Sequence, residues 1–341
     1  VNVFVLHTPF QRFVAEHMLR TMSEFAGAEN FAVVDEGSLE LDTSLWTRVQ
    51  RIAPPLGSKF IGNTERVSEV VTSVIAELGT GDVTIFMSNP DYPLSNGLVR
   101  HSRQTAGVRL ASFPEGVLNA LPAGIGLKKR AKNVVKWVYG QAVGCPFSAL
   151  RGDNAGLTGA HQIYTLIPDA LGQFEAKLVR IPPPAFDTDF EAGDDGIICG
   201  QPLTDFMSTW AYLDYTRRLI QMGVSITAGQ LFFKPHPREP EQASRIAESE
   251  GALVLRDTRI VEEVVTEMAP ALLLSFSSSA LLHVKLFFEG RVRCVAAGAN
   301  DVMRHSNNSK AFCRRMERLY RDVGVEWTEL PQRSAPRVDR S

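Results

Sequence analysis

The sequence predicts an α/β protein of two Rossmann-like domains facing a central cleft, and three observations predict it. Short apolar runs alternate with stretches of helical periodicity, the pattern of parallel βαβ units. A proline run, Arg180-Ile181-Pro182-Pro183-Pro184, interrupts that pattern, and it then restarts at Gly196-Ile197-Ile198-Cys199-Gly200. At 341 residues the chain is also longer than one hydrophobic core usually organises.

In chain order, residues 3–6 form an apolar run of strand length that His7-Thr8-Pro9 ends. Phe13, Val14, His17 and Met18 then recur at helical spacing within residues 10–25. Further strands are expected at 31–34, 83–87 and 108–112, with a helix over 68–78. Three consecutive prolines continue neither a helix nor a central strand, so residues 181–195 read as a linker. Beyond it, strands are expected at 196–200, 231–234, 252–255, 272–275 and 292–296. Helices such as 208–222 and 239–250 lie between them. The expected domains are 1–185 and 186–329. The Pro/Arg/Ser-rich residues 330–341 read as a disordered tail.

A hydrophobic content of 44 % with 22 % charged residues excludes a disordered or fibrous chain. The net charge of −2 gives no global attraction to nucleic acid. Cys145, Cys199, Cys294 and Cys313 form no Cys-x-x-Cys pair, which argues against a disulfide framework or a cysteine zinc site. Cys199 and Cys294 sit in apolar runs and read as buried thiols. Free thiols fit a reducing, cytoplasmic setting. No basic leader precedes the first apolar run, and Val1 in place of Met fits a trimmed N-terminus. No run approaches the roughly 18 apolar residues of a membrane span.

In doubly wound folds ligands collect at the carboxyl ends of strands, and four such ends carry polar chemistry here. The first is Leu6-His7-Thr8-Pro9-Phe10-Gln11, which offers an imidazole, a hydroxyl and an amide at a helix N-terminus. The same residues also read as a Thr8 N-cap with Pro9 at the first helical position. The second is Ser112-Phe113-Pro114-Glu115-Gly116, where a lone acid between Pro and Gly suits either a general base or a solvated turn. The third is Lys234-Pro235-His236-Pro237-Arg238. Two prolines clamp one histidine, and two cations beside it favour a phosphate; the other reading is a structural turn histidine. The fourth is Ser275-Phe276-Ser277-Ser278-Ser279, a phosphate cradle at a helix N-terminus or an ordinary serine cap. The acid falls in the first half and the phosphate binders in the second, as acceptor and donor sides of a transferase would.

These motifs resemble those of a family. Bacterial sialyltransferases and polysialyltransferases of the GT-B fold carry an acidic-residue–Gly motif, a His-Pro motif and a Ser-Ser/Thr motif, in that order. Glu115-Gly116, His236-Pro237 and Ser278-Ser279, with Ser277 beside them, look like these three. The opening strand-loop and Cys199-Gly200-Gln201-Pro202-Leu203 are similar to landmarks of the same group, so the resemblance spans roughly residues 3–290. It is strongest to the alpha-2,8-polysialyltransferase-like group. The chain departs from the pattern at Pro114, where the family often has the first of two acids.

The resemblance implies a GT-B architecture and an inverting transfer from CMP-sialic acid to a hydroxyl acceptor, with no metal and no cofactor. Glu115 would be the base, and His236 would protonate or stabilise the departing CMP phosphate. Ser277, Ser278 and Ser279 would hold that phosphate, with Lys234 and Pro237 beside it. Gly200 and Gln201 would let the nucleotide approach the backbone, and Glu289 before Gly290 would bind a ribose hydroxyl. His7, Thr8, Gln11 and Asn89 would line the sugar or acceptor side. Asp187-Thr188-Asp189 and Asp194-Asp195 follow the prolines rather than a strand and read as solvated linker.

Lys128 to Trp137 is a basic helix suited to an anionic polymer or to peripheral contact with a membrane face, here the inner one. The alternative is a solvated helix with Val134, Val135 and Trp137 in the core. Other open readings are a CMP-Kdo or CDP-glycerol type donor and a non-catalytic nucleotide- or glycan-binding module. A Rossmann-type oxidoreductase ranks last, because no Gly-x-Gly-x-x-Gly follows a strand.

Overall fold

The computed structural model describes residues 1–35, 39–53, 56, 63–78, 81–116, 127–145, 147, 160–167, 177–184, 191–205, 207–305 and 310–331. Asp187, Asp189 and residues 332–341 lie outside them. The chain divides into two compact units, Val1–Pro182 and Pro183–Ser341. The division falls inside the proline run.

The first unit is a seven-stranded sheet. Its strands are β1 (Asn2–Leu6), β2 (Asn30–Val34), β3 (Arg48–Arg51), β4 (Val83–Met87), β5 (Val108–Ser112), β6 (Ala160–Thr165) and β7 (Lys177–Arg180). They lie in the order β3-β2-β1-β4-β5-β6-β7, and every pairing is parallel. The helices are α1 (Pro9–Thr21), α2 (Thr64–Glu77), α3 (Pro93–Gln104) and α4 (Leu127–Ala142). Central strands of a parallel sheet are covered on both faces, which is why β1 and β2 read as continuous apolar runs. One face packs Val3, Val5, Phe31, Val33 and Ile85 against Val67, Val71 and Leu98 of α2 and α3. On the other face Phe4 stacks on Phe86 at 4.4 Å and meets Trp46 and Phe113 edge-on at 5.5 and 6.0 Å.

Sequence pattern finds β1, β2, β4 and β5 but not β3, β6, β7 or α3. Arg48-Val49-Gln50-Arg51 and Lys177-Leu178-Val179-Arg180 are the two edge strands, where one side of the ladder is unpaired and polar residues are tolerated. Helix α3 contains Ser95, Asn96 and Gly97, all poor helix formers. Tertiary packing explains them: a Cβ at Gly97 would stand 2.6 Å from Val71 Cγ2, so glycine lets α2 and α3 approach.

The second unit is a six-stranded parallel sheet in the order β10-β9-β8-β11-β12-β13. Its strands are β8 (Gly196–Cys199), β9 (Leu231–Lys234), β10 (Leu253–Val254), β11 (Leu272–Ser275), β12 (Arg293–Ala297) and β13 (Glu326–Thr328). Helices α5 (Thr209–Ile226), α6 (Glu241–Ser249), α7 (Val261–Met268), α8 (Ser279–Phe287), α9 (Ala299–His305) and α10 (Lys310–Val323) accompany them. The α/β class and parallel sheets are as the sequence predicts.

Two expectations need correction. Asp195 is not solvated linker: its carboxylate accepts from the Gln230 N–H at 2.8 Å, and its carbonyl from the Ala271 N–H. It ties the entries of β8, β9 and β11 together. Nor do Val134, Val135 and Trp137 of α4 enter the core; all three are exposed. The thiols of Cys145, Cys199 and Cys294 are buried, and all four cysteines are free.

In each sheet the chain order reverses once, between β1 and β4 and between β8 and β11. These are the topological switch points, where the crevice beyond the strand ends opens. Phe4 sits under the first of them. Phe4→Ala is expected to destabilise the first unit by about 3–5 kcal/mol, the usual cost of deleting a fully buried aromatic; denaturant unfolding checks this.

Candidate active site

At the end of β1, Thr8 caps α1: its hydroxyl oxygen accepts from the Gln11 N–H at 3.2 Å, and Pro9 takes the first helical position. This turn places Gln11 beneath the strand end, fully buried, where its Oε1 accepts from the His7 N–H at 2.6 Å. The His7 ring lies flat on Tyr92 with centroids 4.0 Å apart. Its Nε2 is 3.0 Å from Ser95 Oγ and its Nδ1 3.2 Å from Asp35 Oδ2. Contrary to expectation, His7 is held within the unit, bridging β1 to the start of α3, and presents little of itself to a ligand.

Glu115 follows β5. Met87 pairs with Ser112 in register, and Ser88 Oγ donates to the Pro114 carbonyl at 3.4 Å, so the turn is fixed against the end of β4. Burial pushes the Glu115 carboxyl up from its ordinary 4.5 to about 7, while the side-chain amides of Gln11 and Asn89 draw it back down. Asn89 is oriented for this by an Asx turn, its Oδ1 accepting from the Asp91 N–H at 2.9 Å. Three residues from three strand ends, Gln11, Asn89 and Glu115, therefore meet. Glu115 keeps partial exposure.

In the second unit the strand ends are joined by a residue the sequence reading missed. Glu239, three residues after His236, accepts from the Gln201 N–H at 2.9 Å, from the His236 N–H and from the Tyr212 hydroxyl. Burial raises this carboxyl too, to about 7, against those three donors. Glu239 requires a glycine at position 200: a Cβ there would collide with a Glu239 carboxylate oxygen. The Gln201 side chain then crosses the switch point, its Oε1 accepting from the Ser277 N–H at 2.7 Å.

His236 Nδ1 accepts from the Arg238 N–H at 3.1 Å. An acceptor at Nδ1 leaves the neutral ring's proton on Nε2. Burial lowers the His236 pKa, with Arg238 and Lys234 adding to the effect, so the ring is neutral near pH 7. Ser278 caps α8, its oxygen accepting from the Ala280 N–H at 3.3 Å and lying 3.7 Å from the Cys199 thiol. An oxygen that accepts in this way keeps its own proton to donate. Ser277 and Ser279 flank it with partial exposure, as does exposed Pro237 beside His236.

Two expected donor residues lie elsewhere. Lys234 is buried and its Nζ donates to the Asp257 carbonyl at 2.6 Å, so it anchors the loop after β10. Glu289 is exposed at the C-terminal end of α8, the opposite end of the helix from Ser278 and Ser279. A helix of nine residues separates its ends by about 13 Å, which removes Glu289 from any ligand at the strand ends. The buried acid near this cradle is Glu262, at the start of α7, 2.8 Å from His283 Nδ1 of α8.

Among the described residues no group of three or more His, Cys, Asp or Glu side chains is placed to hold a metal ion. No helix of the described residues is long and apolar enough to cross a membrane.

Residues 172–296 match the family model for alpha-2,8-polysialyltransferase (POLYST). That span holds Gly200, Gln201, His236, Glu239 and Ser277–Ser279, and not Glu115. No curated protein sequence matches the chain. Among solved structures it is similar to the alpha/beta-galactoside alpha-2,3-sialyltransferase of Photobacterium phosphoreum, at 12 % identity and TM-score 0.54, over 96 % of this chain and 98 % of that one. The 2,6-sialyltransferase of Photobacterium sp. JT-ISH-224, solved with the donor product CMP and the acceptor substrate lactose, is similar at 11 % identity and TM-score 0.51, over 96 % and 78 % of the two chains. The forosaminyltransferase SpnP is similar at 9 % identity and TM-score 0.50, over 94 % of each. The chain thus has the GT-B fold of glycosyltransferases, and the expected resemblance to alpha-2,8-polysialyltransferases is borne out over residues 172–296.

Proposed function

We propose that this chain is an inverting glycosyltransferase that moves a sialic-acid-type sugar from a CMP-activated donor to a hydroxyl group of an acceptor. The observation that carries the reading is the cradle at the ends of β8, β9 and β11, which lies wholly inside the segment matching the polysialyltransferase family. Its groups suit a departing phosphate. Neutral His236 offers an Nε2–H, Ser278 offers a hydroxyl proton, and the N-terminus of α8 offers the positive end of its dipole. Donors aimed where charge develops are usually the largest catalytic contribution.

In this reading Glu115 takes the proton of the acceptor hydroxyl as that oxygen bonds to the anomeric carbon. The bond from that carbon to the CMP phosphate breaks, and its electron pair passes to the phosphate oxygen, which His236 and Ser278 stabilise. A carboxyl held near pH 7 is matched to that task, and Gln11 and Asn89 orient it. A binding module has no use for such an acid. The mechanism needs no metal or cofactor. The same cradle suits other cytidylyl donors of the CMP-Kdo or CDP-glycerol type, so the donor is the first thing to test.

CMP is expected to raise the thermal unfolding temperature in the presence of EDTA, with UMP and GDP much weaker. His236→Ala and Gly200→Ala should each abolish most of that shift, the second by displacing Glu239, while Glu115→Ala keeps it. A preference for uridine or guanosine nucleotides would remove the sialyl-transfer reading and leave the fold. Slow, metal-independent hydrolysis of CMP-N-acetylneuraminate is also expected.

The rate of transfer should rise with pH through about 7, following ionisation of Glu115. Glu115→Gln should lose at least about 10²-fold in kcat and flatten that profile. Stability moves the opposite way. A carboxyl whose folded pKa is raised stabilises the fold below its unfolded pKa, and that contribution is lost as pH climbs through about 7. The glutamine variant should therefore unfold at a higher temperature than the parent above pH 7, which calorimetry across pH 5–8 reads directly.

A further inference from the structure

Helix α4 is inside out. A surface helix of a globular protein turns its apolar stripe to the core and its polar face to water. Among the α4 positions whose side chains are described, the buried ones are Asn133 and Gly140, seven residues and so about two turns apart on one face. The opposite face carries Val134, Val135 and Val138, each between 51 % and 59 % exposed. Trp137, Tyr139 and, just past the helix, Val143 are exposed beside them. The helix also holds Lys128, Lys129, Arg130, Lys132 and Lys136 and no acidic residue, on a chain whose net charge is −2. Lys132 is exposed, and the Lys136 ammonium lies 5.6 Å from the centroid of the Phe147 ring.

We propose that α4 lies in the plane of an anionic lipid bilayer surface, with Val134, Val135 and Val138 in the boundary between headgroups and acyl chains. Three considerations select this occupant. An apolar face bordered by cations matches a surface that is apolar within and negative at its rim. Trp and Tyr are the residues that favour the level of the headgroups. A second copy of the chain pairing through this face would bring together two copies of a helix that has cations and no acid, which repel. A soluble anionic polymer would satisfy the lysines and leave the valines and Trp137 in water. The inference is independent of the glycosyl-transfer reading and stands or falls without it.

The test is flotation of the full chain with vesicles of phosphatidylcholine alone and of phosphatidylcholine mixed with phosphatidylglycerol. Binding is expected to the mixed vesicles only, to weaken as salt is raised, and to fall at least about tenfold in V134D/V138D, since the apolar contribution scales with the area inserted. Lys132→Glu should weaken it by a smaller factor. Both variants replace exposed side chains, so their circular dichroism and unfolding temperature should match the parent. Absence of flotation overturns the proposal. So does equal binding to neutral vesicles, or binding that V134D/V138D leaves unchanged. A shift from dimer to monomer in V134D/V138D without vesicle binding assigns the face to a second copy instead. Retention on a soluble polyanion that V134D/V138D does not alter, without flotation, assigns it to an anionic polymer.

Discussion

The carboxylate of Glu239 accepts hydrogen bonds from the backbone of His236, the backbone of Gln201 and the hydroxyl of Tyr212. Those groups follow β9, follow β8 and belong to α5. One side chain thus fixes the His-Pro turn to the neighbouring strand end. Everything in the second unit's cradle hangs on that junction. With the turn in place, His236 Nδ1 meets the Arg238 N–H and its proton is directed to Nε2. With Gln201 in place, its side chain reaches the Ser277 N–H and sets the turn into α8. The absence of a side chain at Gly200 is the steric condition for the whole arrangement. Leaving these part-buried donors without their acceptor costs at most on the order of 1–3 kcal/mol each.

The strand ends are legible in the sequence because a parallel sheet covered on both faces writes its strands as apolar runs. A polar residue directly after such a run marks the edge of the sheet, where ligands and turns make use of it. His7, Gln11, Asn89, Glu115, Gly200, Gln201, His236 and Ser277–Ser279 can all be picked out this way, and the structure puts each at a strand end or in the first turn of the helix after one. Glu239 is not legible. Its reason for being an acid lies largely in the Gln201 N–H and the Tyr212 hydroxyl, 38 and 27 positions earlier in the chain, and no local pattern carries those contacts. Lys234 misleads because a cation beside a phosphate turn and a cation under a loop carbonyl have the same neighbours in sequence. Helix α4 is ambiguous for a related reason: amphipathic spacing shows that a helix has an apolar face and not which way it points.

Helix polarity explains the error at Glu289. A helix after a β-strand begins at the carboxyl edge of the sheet and runs back to the amino edge. Ser278 and Glu289 bracket α8, so they mark opposite edges of the unit. The residue that does bear on the cradle from this helix is His283, buried against Glu262. That pair holds the start of α7 to the middle of α8 and so fixes the rotation of α8 about its axis. The rotation in turn decides where Ser278, the N-cap of the helix, stands.

Glu115 and Glu239 pose a choice that acidity alone does not settle, since burial raises both carboxyls to about 7. The number and kind of their donors settles it. Glu239 is enclosed by two backbone N–H groups and a phenol, rigid donors from its own unit, and taking up a proton would break that set. Among the described residues, Glu115 is drawn down by the side-chain amides of Gln11 and Asn89, and it keeps partial access to water. A carboxylate has about four lone-pair sites, so Glu115 retains capacity for the proton of an incoming hydroxyl. The same shift in pKa therefore accompanies a fully engaged carboxylate in one unit and one with spare acceptor capacity in the other. Desolvation makes each carboxylate a strong acceptor, and the protein's own donors occupy one of them and leave the other available.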